Sequence, residues 1–140
     1  MYRLELDFSG KKKHLVFFDD MIMNFLKMSE FKEYKRFHFV LHEAIINSMK
    51  AIEINDDKQR RENIKIEIEV NDKEVNAIVT DWMTGIEDSK ENVINTLKDK
   101  DNAFMESGRG LLMMEHMVDS FTWGKGENGE FCVYMTVKRQ

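Results

Sequence analysis

Between Tyr34 and Ile54, the residues Phe37, Val40, Leu41, Ala44, Ile45, Ser48 and Ile52 fall on one stripe of a period of about 3.6 residues. A long helix with a single apolar face gains most of its stability from whatever covers that face. The chain supplies a flat cover. Ile64, Ile66, Ile68 and Val70 alternate with Lys65, Glu67 and Glu69, which predicts a strand with one core face and one wet face. Asn71-Asp72-Lys73 forms a turn, and Val75-Asn-Ala-Ile-Val79 returns as the hairpin partner. One-sided helices on a one-sided sheet make a layered α+β fold.

The remaining segments extend this pattern. Tyr2 to Phe8 alternates as a strand, and Leu15, Phe18, Ile22, Phe25 and Leu26 predict a helix over roughly residues 14–29. Residues 87–107 are polar and loosely patterned; a connection of that length in a small domain reads as a lid, with a short helix at Val93–Leu97. Gly110 to Val118 reads as a helix, and strands are expected near residues 119–123 and 130–138. The order is β-α-α-β-β-lid-α-β-β. The expected architecture is a two-layer sandwich, a mixed sheet covered on one face by about three helices, in a single domain over residues 1–140.

Composition narrows the function classes. The 140 residues can bury a core without disulfides or a structural metal. A net charge of -5 argues against nucleic acid, whose phosphates call for a basic face. Cys132, the single cysteine, cannot form an internal disulfide and reads as a buried strand residue. No apolar run approaches the ~20 residues that span a bilayer, and no leader pattern opens the chain, so a cytoplasmic setting is expected. Proline is absent, which favours one unit over two tethered ones.

Three segments carry candidate chemistry. Glu43 and Asn47 are four apart on the long helix, so their side chains emerge one turn apart, within about 40° of each other. A carboxylate and an amide in that setting suit a general base beside a magnesium ligand, since Mg²⁺ prefers oxygen donors. An ordinary helix-surface pair fits the spacing as well. Asp81 lies on the apolar face of its strand, counting by twos from Val75, and a carboxylate aimed coreward needs a partner. An adenine amino group would serve; so would the Asp's own turn or a helix N-terminus. Ser107-Gly108-Arg109-Gly110 leads straight into a helix, where backbone N–H groups can meet an anion and Arg109 can add a phosphate contact. A flexible turn capped by Ser107 is the alternative. The histidines (His14, His38, His42 and His116) show no partner arrangement and read as surface or packing residues.

In this order and at these intervals, the segments resemble the GHKL (histidine-kinase-like) ATPase superfamily, in particular the small anti-sigma-factor serine/threonine kinases of bacterial partner switching. The resemblance covers nearly the whole chain. It rests on Glu43-x-x-x-Asn47, Asp81-Trp-Met-Thr-Gly85 and, as the most specific match, Glu106-Ser-Gly-Arg-Gly-Leu-Leu-Met-Met-Glu115. It implies a Bergerat-type ATP-binding fold with ATP and Mg²⁺ as cofactors. Asn47 would bind the Mg²⁺ that bridges the phosphates, and Glu43 would be the base for a serine hydroxyl. Asp81 would read the adenine amino group, with Met83 and Gly85 at the base. Ser107, Gly108, Arg109, Gly110 and Leu111 would close over the phosphates. The implied partners are a sigma factor, a small STAS-type antagonist protein phosphorylated on serine or threonine, and a second copy in a homodimer.

The sequence departs from the pattern at three places. Met83 stands where the first glycine of Asp-x-Gly-x-Gly is expected, and there it can swing aside, stack on the base or fill the pocket. Ser48 stands where alanine usually follows the asparagine. Gly129-Glu130 replaces a Gly-Thr whose hydroxyl often supports the adenine-binding Asp. The leading expectation is an ATP-dependent serine/threonine kinase acting as an anti-sigma factor or related switch. The alternative is a binding module that keeps the scaffold with impaired nucleotide binding. The ATPase part of a sensor kinase comes third.

Overall fold

A computed structural model describes residues 1–54, 61–84 and 113–139. Strand β1 (Tyr2–Ser9) leads through one 3-10 turn (Lys12–His14) into helices α1 (Leu15–Met28) and α2 (Tyr34–Ile54). The hairpin strands β2 (Asn63–Val70) and β3 (Glu74–Asp81) follow, and β4 (Ser120–Lys125) and β5 (Phe131–Lys138) close the chain. The strands form one sheet in the order β1-β2-β3-β5-β4.

The α+β sandwich stands as expected, with one correction: among the described residues every strand pairing is antiparallel, so that sheet is antiparallel rather than mixed. The reason lies in the connections. Two helices, an even number of traverses, separate β1 from β2 and return the chain to the sheet running the opposite way; a single crossover helix would have made the pair parallel. Tight turns join the other hairpins. Asn71 Oδ1 accepts from the backbone N–H groups of Lys73 (2.8 Å) and Glu74 (2.9 Å), fixing the β2–β3 turn.

The alternating pattern determines which face is covered. Ile64, Ile66, Ile68 and Val70 of β2 are all buried, as are Val75, Ala77 and Val79 of β3 and Phe131, Val133, Met135 and Val137 of β5. The stripe of α2 is buried as a unit, and α1 contributes Ile22 and Leu26. Phe8 of β1 stacks on Phe18 of α1 with ring centroids 3.9 Å apart, which fixes α1 against the sheet edge. Apolar burial of this kind stabilises by roughly 25 cal/mol per Å² and is the main term holding the layers together.

Near the last strands the boundaries shift slightly. Residues 113–115 are helical, and the chain turns before β4 begins at Ser120, short of the helix expected to Val118. Asp119 explains the break: its N–H donates to the Thr136 carbonyl (3.0 Å), and its Oδ2 accepts from the Lys138 N–H (2.6 Å). The expected lid over 87–107, its short helix and the start of the helix at Gly110 lie outside the described residues. No described helix is long and apolar enough to cross a membrane.

Candidate functional site

Asp81 ends β3 on the covered face, as its strand parity predicts, and is fully buried at 0% exposure. In register it lies between Ile64 of β2 and Phe131 of β5, both buried. A carboxylate between apolar neighbours needs donors, or its burial becomes very costly. Four are present. Oδ1 accepts from the backbone N–H of Met83 (2.9 Å) and of Thr84 (2.7 Å). Oδ2 accepts from the hydroxyls of Ser48 (2.5 Å) and Thr84 (2.8 Å). A carboxylate offers about four lone-pair sites, so the protein's own donors occupy its acceptor capacity.

Ser48 is the residue that sequence reasoning underrated. In the sequence it is one member of the α2 stripe and a departure from alanine. Its 2% exposure and its bond to Asp81 make it the tie between α2 and the end of β3. The signal was available: a hydroxyl inside an otherwise apolar stripe must find a partner. The hydroxyls on Asp81 thus come from Ser48 and Thr84. Glu130, where the family pattern has threonine, instead turns its carboxylate back to accept from the Asn128 N–H (3.0 Å).

Asn47 directly precedes Ser48, the residue that bonds Asp81, on α2. Glu43 lies one helical turn earlier. Both are half-buried, and neither has a hydrogen-bond or ion-pair partner among the described residues. Among the described residues no group of three or more His, Cys, Asp or Glu could hold a metal ion by itself.

Met83 lies next to the Asp81 turn, its backbone N–H on Asp81 Oδ1. Its side chain is 2% exposed and belongs to the hydrophobic core, so it fills space that a glycine would leave open. Gly85, Ser107, Gly108, Arg109, Gly110 and Leu111 lie outside the described residues.

Two expectations need correction. His38 and His42 do have a partner arrangement: His38 Nε2 lies 2.9 Å and His42 Nδ1 2.8 Å from the same Asp19 Oδ1, joining α2 to α1. Their four-residue spacing was legible, but the carboxylate comes from another helix and becomes visible only once the two pack. Cys132 is half-buried rather than buried and sits on the wet face, its Sγ 3.6 Å from Thr80 Oγ1. Its neighbours Phe131 and Val133 take the core positions, so strand parity turns Cys132 outward. On that wet face the Arg61 guanidinium covers the Trp82 ring at 4.2 Å, beside an open recess lined by Lys65, Thr80 and Glu130. Trp82 and Asp81 point to opposite faces of the sheet, which separates this recess from the buried carboxylate.

The family model for the histidine kinase-like ATPase domain matches residues 11–137. No curated protein matches the chain. The matched span contains α1, α2, β2, β3, β4, all but the last residue of β5, and the Glu43, Asn47 and Asp81 positions. The chain therefore belongs to the histidine kinase-like ATPase domain family.

Proposed function

We propose that the chain binds ATP with Mg²⁺ and phosphorylates a serine or threonine of a small partner protein, acting as an anti-sigma factor or a related partner-switching regulator. Membership of a histidine kinase-like ATPase family supports the nucleotide. The observation that carries the reading is the junction of α2 with the end of β3. There Glu43 and Asn47, with no hydrogen-bond or ion-pair partner among the described residues, lie on the helix whose Ser48 binds the buried Asp81.

In this reading Asp81 meets the adenine amino group and Asn47 offers its amide oxygen to Mg²⁺. Glu43 accepts the proton of the attacking hydroxyl. The new bond joins the serine oxygen to the γ-phosphorus, the β,γ-bridging P–O bond breaks, and ADP leaves. Such reactions are driven by positioning and charge neutralisation, with a general base adding typically ~10²–10⁴-fold. A STAS-type antagonist would supply the hydroxyl, and a sigma factor would be the second partner. The protein would act in the cytoplasm, possessing a homodimeric form as related kinases do.

The decisive experiment incubates the chain with γ-labelled ATP and candidate antagonist proteins encoded nearby, scoring label on serine or threonine. Glu43→Ala should retain ATP binding and lose most transfer, by about 10²-fold or more. Asn47→Ala should weaken Mg-ATP instead. Unchanged transfer in Glu43→Ala removes that residue from its role.

A second reading is favoured by a specific observation. Met83 fills the core beside Asp81, and Asp81 is already saturated by protein donors. Both features suit a protein-binding module that keeps the scaffold but holds nucleotide poorly. Calorimetry with ATP, with and without Mg²⁺, separates the two: no heat at millimolar nucleotide favours the module.

A further inference from the structure

The two hydroxyls on Asp81 Oδ2 are not equivalent. Ser48 is 2% exposed and is held beneath the carboxylate by α2. Thr84 is only half-buried and follows the strand end, so of the two hydroxyl-bearing residues it is the more exposed. Thr84 is also bound to Asp81 twice, by its N–H to Oδ1 (2.7 Å) and by its hydroxyl to Oδ2 (2.8 Å). The backbone bond keeps the residue in place even when the side chain turns. A threonine hydroxyl can turn about χ1 between staggered positions, whereas the backbone N–H cannot leave without opening the turn.

We propose that Thr84 is a placeholder for an incoming amino group, and that Ser48 is the fixed residue positioning the carboxylate for it. This rests on the nucleotide-binding reading and deepens it by assigning how the base is selected. With no base present, Thr84 satisfies the outer lone pair of Oδ2. A ligand N–H donor takes that site when the Thr84 hydroxyl rotates into solvent, where water satisfies it. Ser48 stays bound throughout, so Oδ2 retains one donor and the carboxylate does not swing. A 6-amino purine makes this exchange; a purine without the amino group has no donor to offer and leaves Thr84 where it is.

The consequence is a selectivity set by competition. Wild-type protein should discriminate only modestly between ATP and purine riboside triphosphate, which lacks the 6-amino group, because the gain of one bond is offset by the loss of another. Thr84→Val removes the competing hydroxyl while keeping the backbone N–H and nearly the same shape. One net hydrogen bond is commonly worth about 0.5–1.5 kcal/mol, so the preference for ATP over the 6-unsubstituted analogue should rise about 2- to 10-fold. Thr84→Ser keeps a hydroxyl and should keep the wild-type ratio.

The test is calorimetry of the full chain with each nucleotide and Mg²⁺, for the wild type, Thr84→Val and Thr84→Ser. A higher ATP preference in Thr84→Val alone supports the placeholder role. Equal changes for both nucleotides, or an unchanged ratio, overturn it while leaving nucleotide binding in place. Absence of binding by either nucleotide to any of the three proteins overturns the nucleotide reading itself, and this assignment with it.

Discussion

Ser48 on α2 donates its hydroxyl to Asp81 at the end of β3 across 2.5 Å, and both side chains are buried. The bond spans 33 positions of sequence and couples the helix bearing Glu43 and Asn47 to the strand bearing the carboxylate. Hydrogen bonds to a charged group contribute about 1.5–3 kcal/mol, more than neutral pairs. Ser48→Ala should therefore lower unfolding stability by about that amount, with an unchanged urea m-value. A loss below about 0.5 kcal/mol would mean that the three remaining donors satisfy Asp81 unaided.

Much of this arrangement is legible before any coordinates. The one-sided periodicities of Tyr34–Ile54 and Asn63–Asp81 locate the helix, the hairpin and the covered face, because a slip of one residue would expose a whole row of Ile and Val. Asp81 is placed by that same parity. What pattern reading misses are contacts between elements. Ser48 finds Asp81, and Asp19 finds His38 and His42, only when separate segments pack together. Strand direction escaped for a related reason. It depends on counting helical traverses between strands, which local periodicity does not report.

Met83 sets stability against ligand access. Its side chain is nearly inaccessible and packs in the core, so truncation leaves a cavity. Burial losses from Met→Ala changes run to about 2–5 kcal/mol, and glycine adds backbone entropy in the unfolded chain. Met83→Gly should lower the melting temperature in buffer and recover part of the loss when Mg-ATP is added. A thermal-shift titration of wild type and variant checks this. Equal nucleotide shifts in the two proteins would show that Met83 does not obstruct the base.

Gly10 is required by crowding where β1 leaves the sheet. Its N–H donates to the Glu62 carbonyl at 2.8 Å. A Cβ there would collide with the Ile52 Cδ1 methyl and stand 3.0 Å from the Glu62 carbonyl oxygen. The isoleucine end can move, but the carbonyl is held by the hydrogen bond that Gly10 itself makes. Overpacking of this kind typically costs about 1–3 kcal/mol. Gly10→Ala should show a destabilisation in that range by urea denaturation, and Ile52→Val in the same background should relieve part of it. If Gly10→Ala is neutral, β1 has room to shift.

Tyr134 on the wet face of β5 contributes to the dependence of stability on alkaline pH. Its hydrogen bond with Cys132 pushes the phenol above its ordinary value of 10.0, and partial burial adds to the effect. A folded-state value above the unfolded one means that the native protein holds this proton longer. The contribution is then complete below about pH 10 and is lost as pH rises through the folded value, because the unfolded state releases its proton first. Cys132→Ala should move the Tyr134 tyrosinate transition downward and flatten the fall in stability above pH 10. Tyr134→Phe should abolish that part of the slope. Ultraviolet titration of the tyrosinate band, alongside urea midpoints measured across the same pH range, tests both. A Tyr134 transition that stays in place in Cys132→Ala would assign the shift to burial and nearby carboxylates instead.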